Sequence, residues 1–110
     1  MLRAVICVSI LFAAAAASAA GADVKTRGEK VFADQKCALC HSVGGKGNSK
    51  GPLDGVGSKL SDGDIRKWIT DAKGMTAKTK AARKPAMKSY TLAKEDVEAL
   101  AEYLFAMKKK

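Results

Sequence analysis

The chain of 110 residues is predicted to form an all-α fold. Three observations point there. Apolar residues recur at helical spacing in a segment near residue 28 and again in the closing stretch after residue 92. No segment shows the apolar–polar alternation of a half-buried strand. Between the helical segments the chain is rich in glycine and polar residues, which reads as loop.

The first residues read as a leader. Arg3 forms a minimal basic region, Ala4 to Ala17 is uncharged and apolar, and Ala17-Ser18-Ala19 offers a small-residue cleavage site. An apolar run of about 14 residues is short of the roughly 20 that span a bilayer, so export followed by cleavage is expected. Residues 1–19 are thus assigned to a secretory signal peptide, with a cut one or two residues later fitting nearly as well. Residues 20–110 are assigned to one domain. Cys7 leaves with the leader, and Ala4-Val5-Ile6 before it does not resemble a lipoprotein attachment site. A domain of this size has a marginal core of its own.

The elements follow in order. Asp23 to Gln35 reads as a helix with Val24, Gly28, Val31 and Phe32 on one face and Asp23 as N-cap. Gly28 in mid-helix costs up to about 1 kcal/mol against Ala; either another helix approaches closely there or the cost is simply tolerated. Ser42 to Pro52, with glycines at 44, 45, 47 and 51, reads as loop, and Gly55 and Gly57 continue the irregular stretch. This loop has neither the G-K-[ST] ending nor the strand-then-helix setting of a phosphate-binding loop. Ser61-Asp62-Gly63-Asp64 resembles a capping box and opens a short helix with Ile65, Trp68 and Ile69 on one face, which Gly74 is expected to end as C′ residue. Leu92 to Met107 reads as the closing helix, with Val97, Leu100, Ala101, Leu104 and Phe105 as its apolar stripe. Glu95, Asp96 and Glu98 near its start and Lys108-Lys109-Lys110 after its end match the helix dipole.

The chemistry is concentrated in Cys37-Ala38-Leu39-Cys40-His41. In this C-x-x-C-H spacing two thiols on one helical turn can each add to a vinyl group of one porphyrin, and the imidazole that follows can ligate its iron. A redox dithiol would belong in a βαβ setting, and a closed zinc site needs a fourth ligand that is hard to find, because His41 is the only histidine and no cysteine follows Cys40. Covalent haem is the expected cofactor.

Iron held by His41 has a second face to fill, for which methionine is the natural candidate. Met87 lies in Arg83-Lys84-Pro85-Ala86-Met87-Lys88-Ser89-Tyr90, where Pro85 stiffens the backbone and prevents a regular helix. Met75 is the alternative, and Met107 reads as packing at a helix end. His41 and Met87 are therefore the expected axial iron ligands.

The formal charge of +9 becomes +8 once Arg3 leaves with the leader, which suits anionic partners. Export and the lack of a nucleic-acid-binding motif argue against DNA or RNA. No acidic residue lies between Ala72 and Lys94, while Lys73, Lys78, Lys80, Arg83, Lys84, Lys88 and Lys94 are basic. This stretch brackets Met87 and is read as a docking face for acidic redox partner proteins rather than as a merely solvated one.

Taken together, Cys37-x-x-Cys40-His41, Gly51-Pro52-Leu53, Trp68-Ile69, the segment Lys84 to Tyr90 and the closing helix with Leu100, Tyr103 and Leu104 resemble a small class I, monohaem c-type cytochrome of the bacterial periplasmic type. The resemblance runs from about Val24 to Met107. It implies a compact fold of three to five helices wrapped around one covalently attached haem, the first and last crossing near Gly28 and Phe32 on one side and Leu100 and Tyr103 on the other. It implies that the Pro52 carbonyl accepts a hydrogen bond from the axial histidine, fixing its tautomer, and that Trp68 packs by the haem or bonds a propionate. Two positions depart from the pattern. Lys88 stands where relatives have proline after the methionine, and Ala93 where they have a Ser or Thr cap, so that Thr91 caps instead or the end frays.

The expected role is that of a monomeric periplasmic electron carrier rather than an enzyme, at most peripherally in contact with a membrane. Two alternatives remain open: a five-coordinate gas sensor or peroxidase-like enzyme, and a haem subunit of a larger redox complex.

Overall fold

The computed structural model describes residues 16–109, with side chains from Asp23 onward. Of the expected leader, residues 1–15 lie outside the described residues, and Ala16 to Ala19 fall within the first helix. Helix α1 spans Ala16–Asp34. It therefore begins before the predicted start, and Asp23 is an interior residue rather than an N-cap. The physical reason is the alanine-rich stretch before Asp23, whose propensity carries the helix through.

A 3₁₀ turn, Cys37–Leu39, leads into two very short antiparallel strands, β1 (Ser42–Val43) and β2 (Lys46–Gly47). Gly44 and Gly45 join them with φ of 58° and 80°, the two positive values that a tight two-residue hairpin turn requires. The loop expected here thus contains a hairpin, which alternation could not reveal in strands two residues long. Helix α2, Val56–Lys59, likewise lies within the stretch read as irregular.

Helix α3, Asp62–Thr70, is capped as expected: the Ser61 hydroxyl accepts the Asp64 N–H at 3.1 Å. Its end differs from expectation. Asp71 starts a further helix, α4 (Ala72–Thr79), by accepting the Gly74 N–H on its carboxylate at 3.1 Å. Gly74 is consequently a first-turn residue and not a C′ stop, and its missing side chain leaves the space that the Asp71 carboxylate occupies. Helix α5, Lys94–Phe105, lies inside the predicted closing segment. Ala93 is its N-cap and supplies no side-chain bond, so Thr91 does not cap in its place. Glu95 and Asp96 in the first turn meet the positive end of the helix dipole instead.

The core lies where α1, α3 and α5 meet. Val31, Phe32, Ile65, Ile69, Leu100, Ala101 and Leu104 form one buried cluster, each large side chain contributing about 1.5–3 kcal/mol. The crossing of α1 and α5 falls where expected. A side chain on Gly28 would collide with Tyr103 and with the Ala99 carbonyl, so close approach, not tolerance, accounts for the glycine. Phe32 meets Tyr103 edge to face with ring centroids 6.1 Å apart, and Arg27 pairs with Asp96 at 2.8 Å beside them. The chain past α5 folds back on α2. Gly57 donates to the Met107 carbonyl at 2.9 Å, while Lys108 donates to the Gly57 carbonyl at 2.8 Å and stands 3.3 Å over the Phe105 ring. This fixes α2 and the adjoining apolar residues Leu53, Val56 and Leu60 against the rest of the fold. No described helix is long and apolar enough to cross a membrane.

Candidate haem site

The cysteine motif is set by the way α1 ends. Lys36 adopts a left-handed conformation, φ 56°, turning the chain out of the helix while its N–H still bonds the Ala33 carbonyl at 3.0 Å. The 3₁₀ turn follows, with the N–H groups of Cys40 and His41 both donating to the Cys37 carbonyl at 3.1 and 2.9 Å. Side chains three positions apart eclipse one another in such a turn, so Cys37 and Cys40 present their thiols on one side. Neither is in a disulfide; Cys37 is half-buried and Cys40 exposed. Burial is the main influence pushing the Cys37 thiol up, with its own backbone and Lys88 opposing.

The glycine-rich loop holds His41 in place. In the bridge between Ser42 and Pro52 the Ser42 N–H donates to the Gly51 carbonyl at 3.0 Å, and the Leu53 N–H to the Ser42 carbonyl at 2.9 Å. The same Gly51 carbonyl lies 3.1 Å from His41 Nδ1. A carbonyl can only accept, so Nδ1 carries the proton and Nε2 keeps its lone pair for a metal. The expected acceptor, the Pro52 carbonyl, is thus replaced by that of Gly51. It is the Gly51 carbonyl that faces the histidine, while Pro52 itself is held in the bridge to Ser42. Burial moves the His41 imidazole below its ordinary value, the Gly51 contact opposes, and the nearby Arg83 charge adds to the lowering. At neutral pH the ring is therefore the neutral, ligating form.

Asn48, which the sequence marked only as a loop residue, ties the loop to the cysteine turn. Its side-chain amide donates to the Leu39 carbonyl at 3.0 Å, and its N–H reaches the carbonyls of Ala38 and His41, each at 3.1 Å. The only signal available in the sequence was an asparagine among glycines, a combination common to turns in general.

Above this turn lies a cavity of about 560 Å³, within the range of small-molecule and cofactor sites. Cys37, Cys40 and His41 line it on one side, Trp68 comes from α3, and Met87 and Tyr90 come from the segment between α4 and α5. The three methionines of the described region separate here. Met87 faces the cavity, Met75 is buried in α4 and does not line it, and Met107 packs against the core cluster. Pro52 does not reach the cavity. The segment holding Met87 is non-helical, as Pro85 predicted, and is tied down after the methionine: the Tyr90 N–H donates to the Ile69 carbonyl at 2.8 Å, and the Ser89 hydroxyl accepts the Lys73 N–H at 3.3 Å.

These features suit a large, flat, mostly apolar ring: two thiols on one side, an imidazole with a free Nε2, and apolar walls. They do not suit the two other readings of the motif. Among the described residues no three or more His, Cys, Asp or Glu side chains stand together as a metal-ion site, and there is no βαβ unit to set up a redox dithiol. Fold and site together define a small all-α haem-attachment protein. The family model for cytochrome c matches residues 26–108, and the chain belongs to the cytochrome c family. It is accordingly a haem-based electron-transfer protein with a covalently bound c-type haem and its iron. No curated protein and no solved structure matched the chain.

Proposed function

We propose that this cytochrome is an exported, periplasmic one-electron carrier, in which Cys37 and Cys40 bind the haem as thioethers and His41 and Met87 ligate its iron. The observation that carries this reading is the sorting of the methionines: of Met75, Met87 and Met107, Met87 is the one that shares the cavity with His41. Bound there, the haem supplies a reversible change between Fe(III) and Fe(II). The chain's own part is to hold the same two ligands in both states. Gly51 orients the imidazole, and the Ile69 and Lys73 contacts of Tyr90 and Ser89 hold the methionine segment. A thioether ligand and an apolar setting favour Fe(II) and raise the potential. Trp68, from α3, lines the cavity and would pack by the haem or bond a propionate.

Export is supported by the Arg3-to-Ala19 pattern. Removal of the leader would shorten α1 and bring Asp23 close to its new N-terminus, where a carboxylate suits the helix dipole. Docking is read as electrostatic: Lys73, Lys78, Lys80, Lys84, Lys88 and Lys94 are all exposed, a surface fitted to brief, salt-sensitive contact with acidic redox proteins.

Met87→Ala tests the ligand assignment. The purified holoprotein should lose its six-coordinate low-spin spectrum and bind carbon monoxide readily, whereas Met75→Ala, though destabilised by a buried cavity, should keep the wild-type spectrum. The reverse pattern would transfer the ligand role to Met75.

A further inference from the structure

Arg83 is the one guanidinium that lines the cavity. It extends from the segment that carries Met87 to the backbone of Gly51, and lies so close that a side chain on Gly51 would occupy its place. Gly51 is also the residue whose carbonyl holds His41. Arg83 thus stands at the junction of the two segments that supply the iron ligands. It has no carboxylate partner among the described residues, in contrast to Arg27 and Arg66, which are paired with Asp96 and Asp62. Lys88, which also lines the cavity, is turned over the Tyr90 ring at 5.0 Å.

We propose that Arg83 tunes electron transfer, placing a permanent positive charge beside the His41–Gly51 pair at the cavity so that the reduced state of the site is favoured. The oxidised centre carries one positive charge more than the reduced one. A cation nearby therefore raises the energy of the oxidised form more; Arg83 is exposed at the cavity mouth, so salt screens part of the effect and the shift is larger at low ionic strength. Arginine suits the position because its guanidinium stays charged and is more weakly hydrated than an ammonium. The proposal rests on the reading of His41 and Met87 as iron ligands.

The experiment is a redox titration of holoprotein at fixed pH and salt, with the optical spectrum and the thermal midpoint recorded for each variant. Arg83→Gln should shift the midpoint potential downward while the spectrum stays that of the wild type, and Arg83→Lys should restore most of the shift. An unchanged potential in Arg83→Gln would overturn the proposal. So would an equal fall in both variants, since charge would then not be the cause. Failure of the underlying ligand reading is visible separately, as a wild-type spectrum that is not six-coordinate.

Discussion

His41 holds its place through one carbonyl. The Gly51 oxygen receives both the Ser42 N–H and the ring Nδ1–H, and Gly51 has room for no side chain, because the Cys40 carbonyl and Arg83 occupy the space. The imidazole's titration carries a consequence for folding of the haem-free chain. Burial first, and Arg83 after it, hold the folded-state pKa below the ordinary 6.5, so the unfolded chain binds the proton more readily. The stability contributed by neutral His41 is then complete above about pH 6.5 and is lost as the pH falls towards the lower, folded value. Thermal melting of the haem-free chain should show a lower midpoint at pH 5.5 than at pH 7.5, with most of the difference removed by His41→Gln. A midpoint independent of pH in this window would contradict the assignment. Cys37, Cys40 and His41 were legible as a unit because their spacing is itself the chemistry. The histidine's acceptor was not, because Pro52 and Gly51 differ only in which way adjacent carbonyls point, and that is decided by the bridge to Ser42.

At the scale of elements, the crossing of α1 and α5 governs the shape of the cavity's back wall, where Phe32, Leu100 and Leu104 line it. Gly28→Ala would force Tyr103 and the Ala99 carbonyl away from α1. Overpacking of this kind costs about 1–3 kcal/mol, more than the gain of up to about 1 kcal/mol in helix propensity, so the denaturant midpoint should fall; a rise would mean that the helices are further apart than described. The crossing could be anticipated because a glycine on the apolar face of a helix calls for a neighbour. The hairpin at Gly44-Gly45 and the helices α2 and α4 could not, since elements of two to eight residues are too short for periodicity to register. Asp71 shows the difficulty well. The pair Asp71 and Gly74 fits a helix ending in glycine, yet it also fits a cap and first turn, and only the carboxylate's bond to the Gly74 N–H decides between them.

For the molecule as a whole, charge and cavity lie together. The cavity mouth includes Lys36, Arg83 and Lys88 among its lining residues, and the exposed lysines before and after Met87 extend the same basic surface. Reversing charge at Lys84 and Lys88 should slow electron transfer to an acidic partner severalfold at low salt and flatten the dependence of the rate on ionic strength, because the steering force is what salt screens. An unchanged rate in stopped-flow measurements would reduce the basic stretch to a solvated surface. The central claim, an iron closed on both sides by protein ligands, is tested most directly by the optical spectrum of the reduced, purified holoprotein before and after addition of carbon monoxide. A c-type spectrum that carbon monoxide leaves unchanged is the predicted result. Rapid and complete binding of the gas would contradict it, and would mean that the iron is open on the side assigned to Met87.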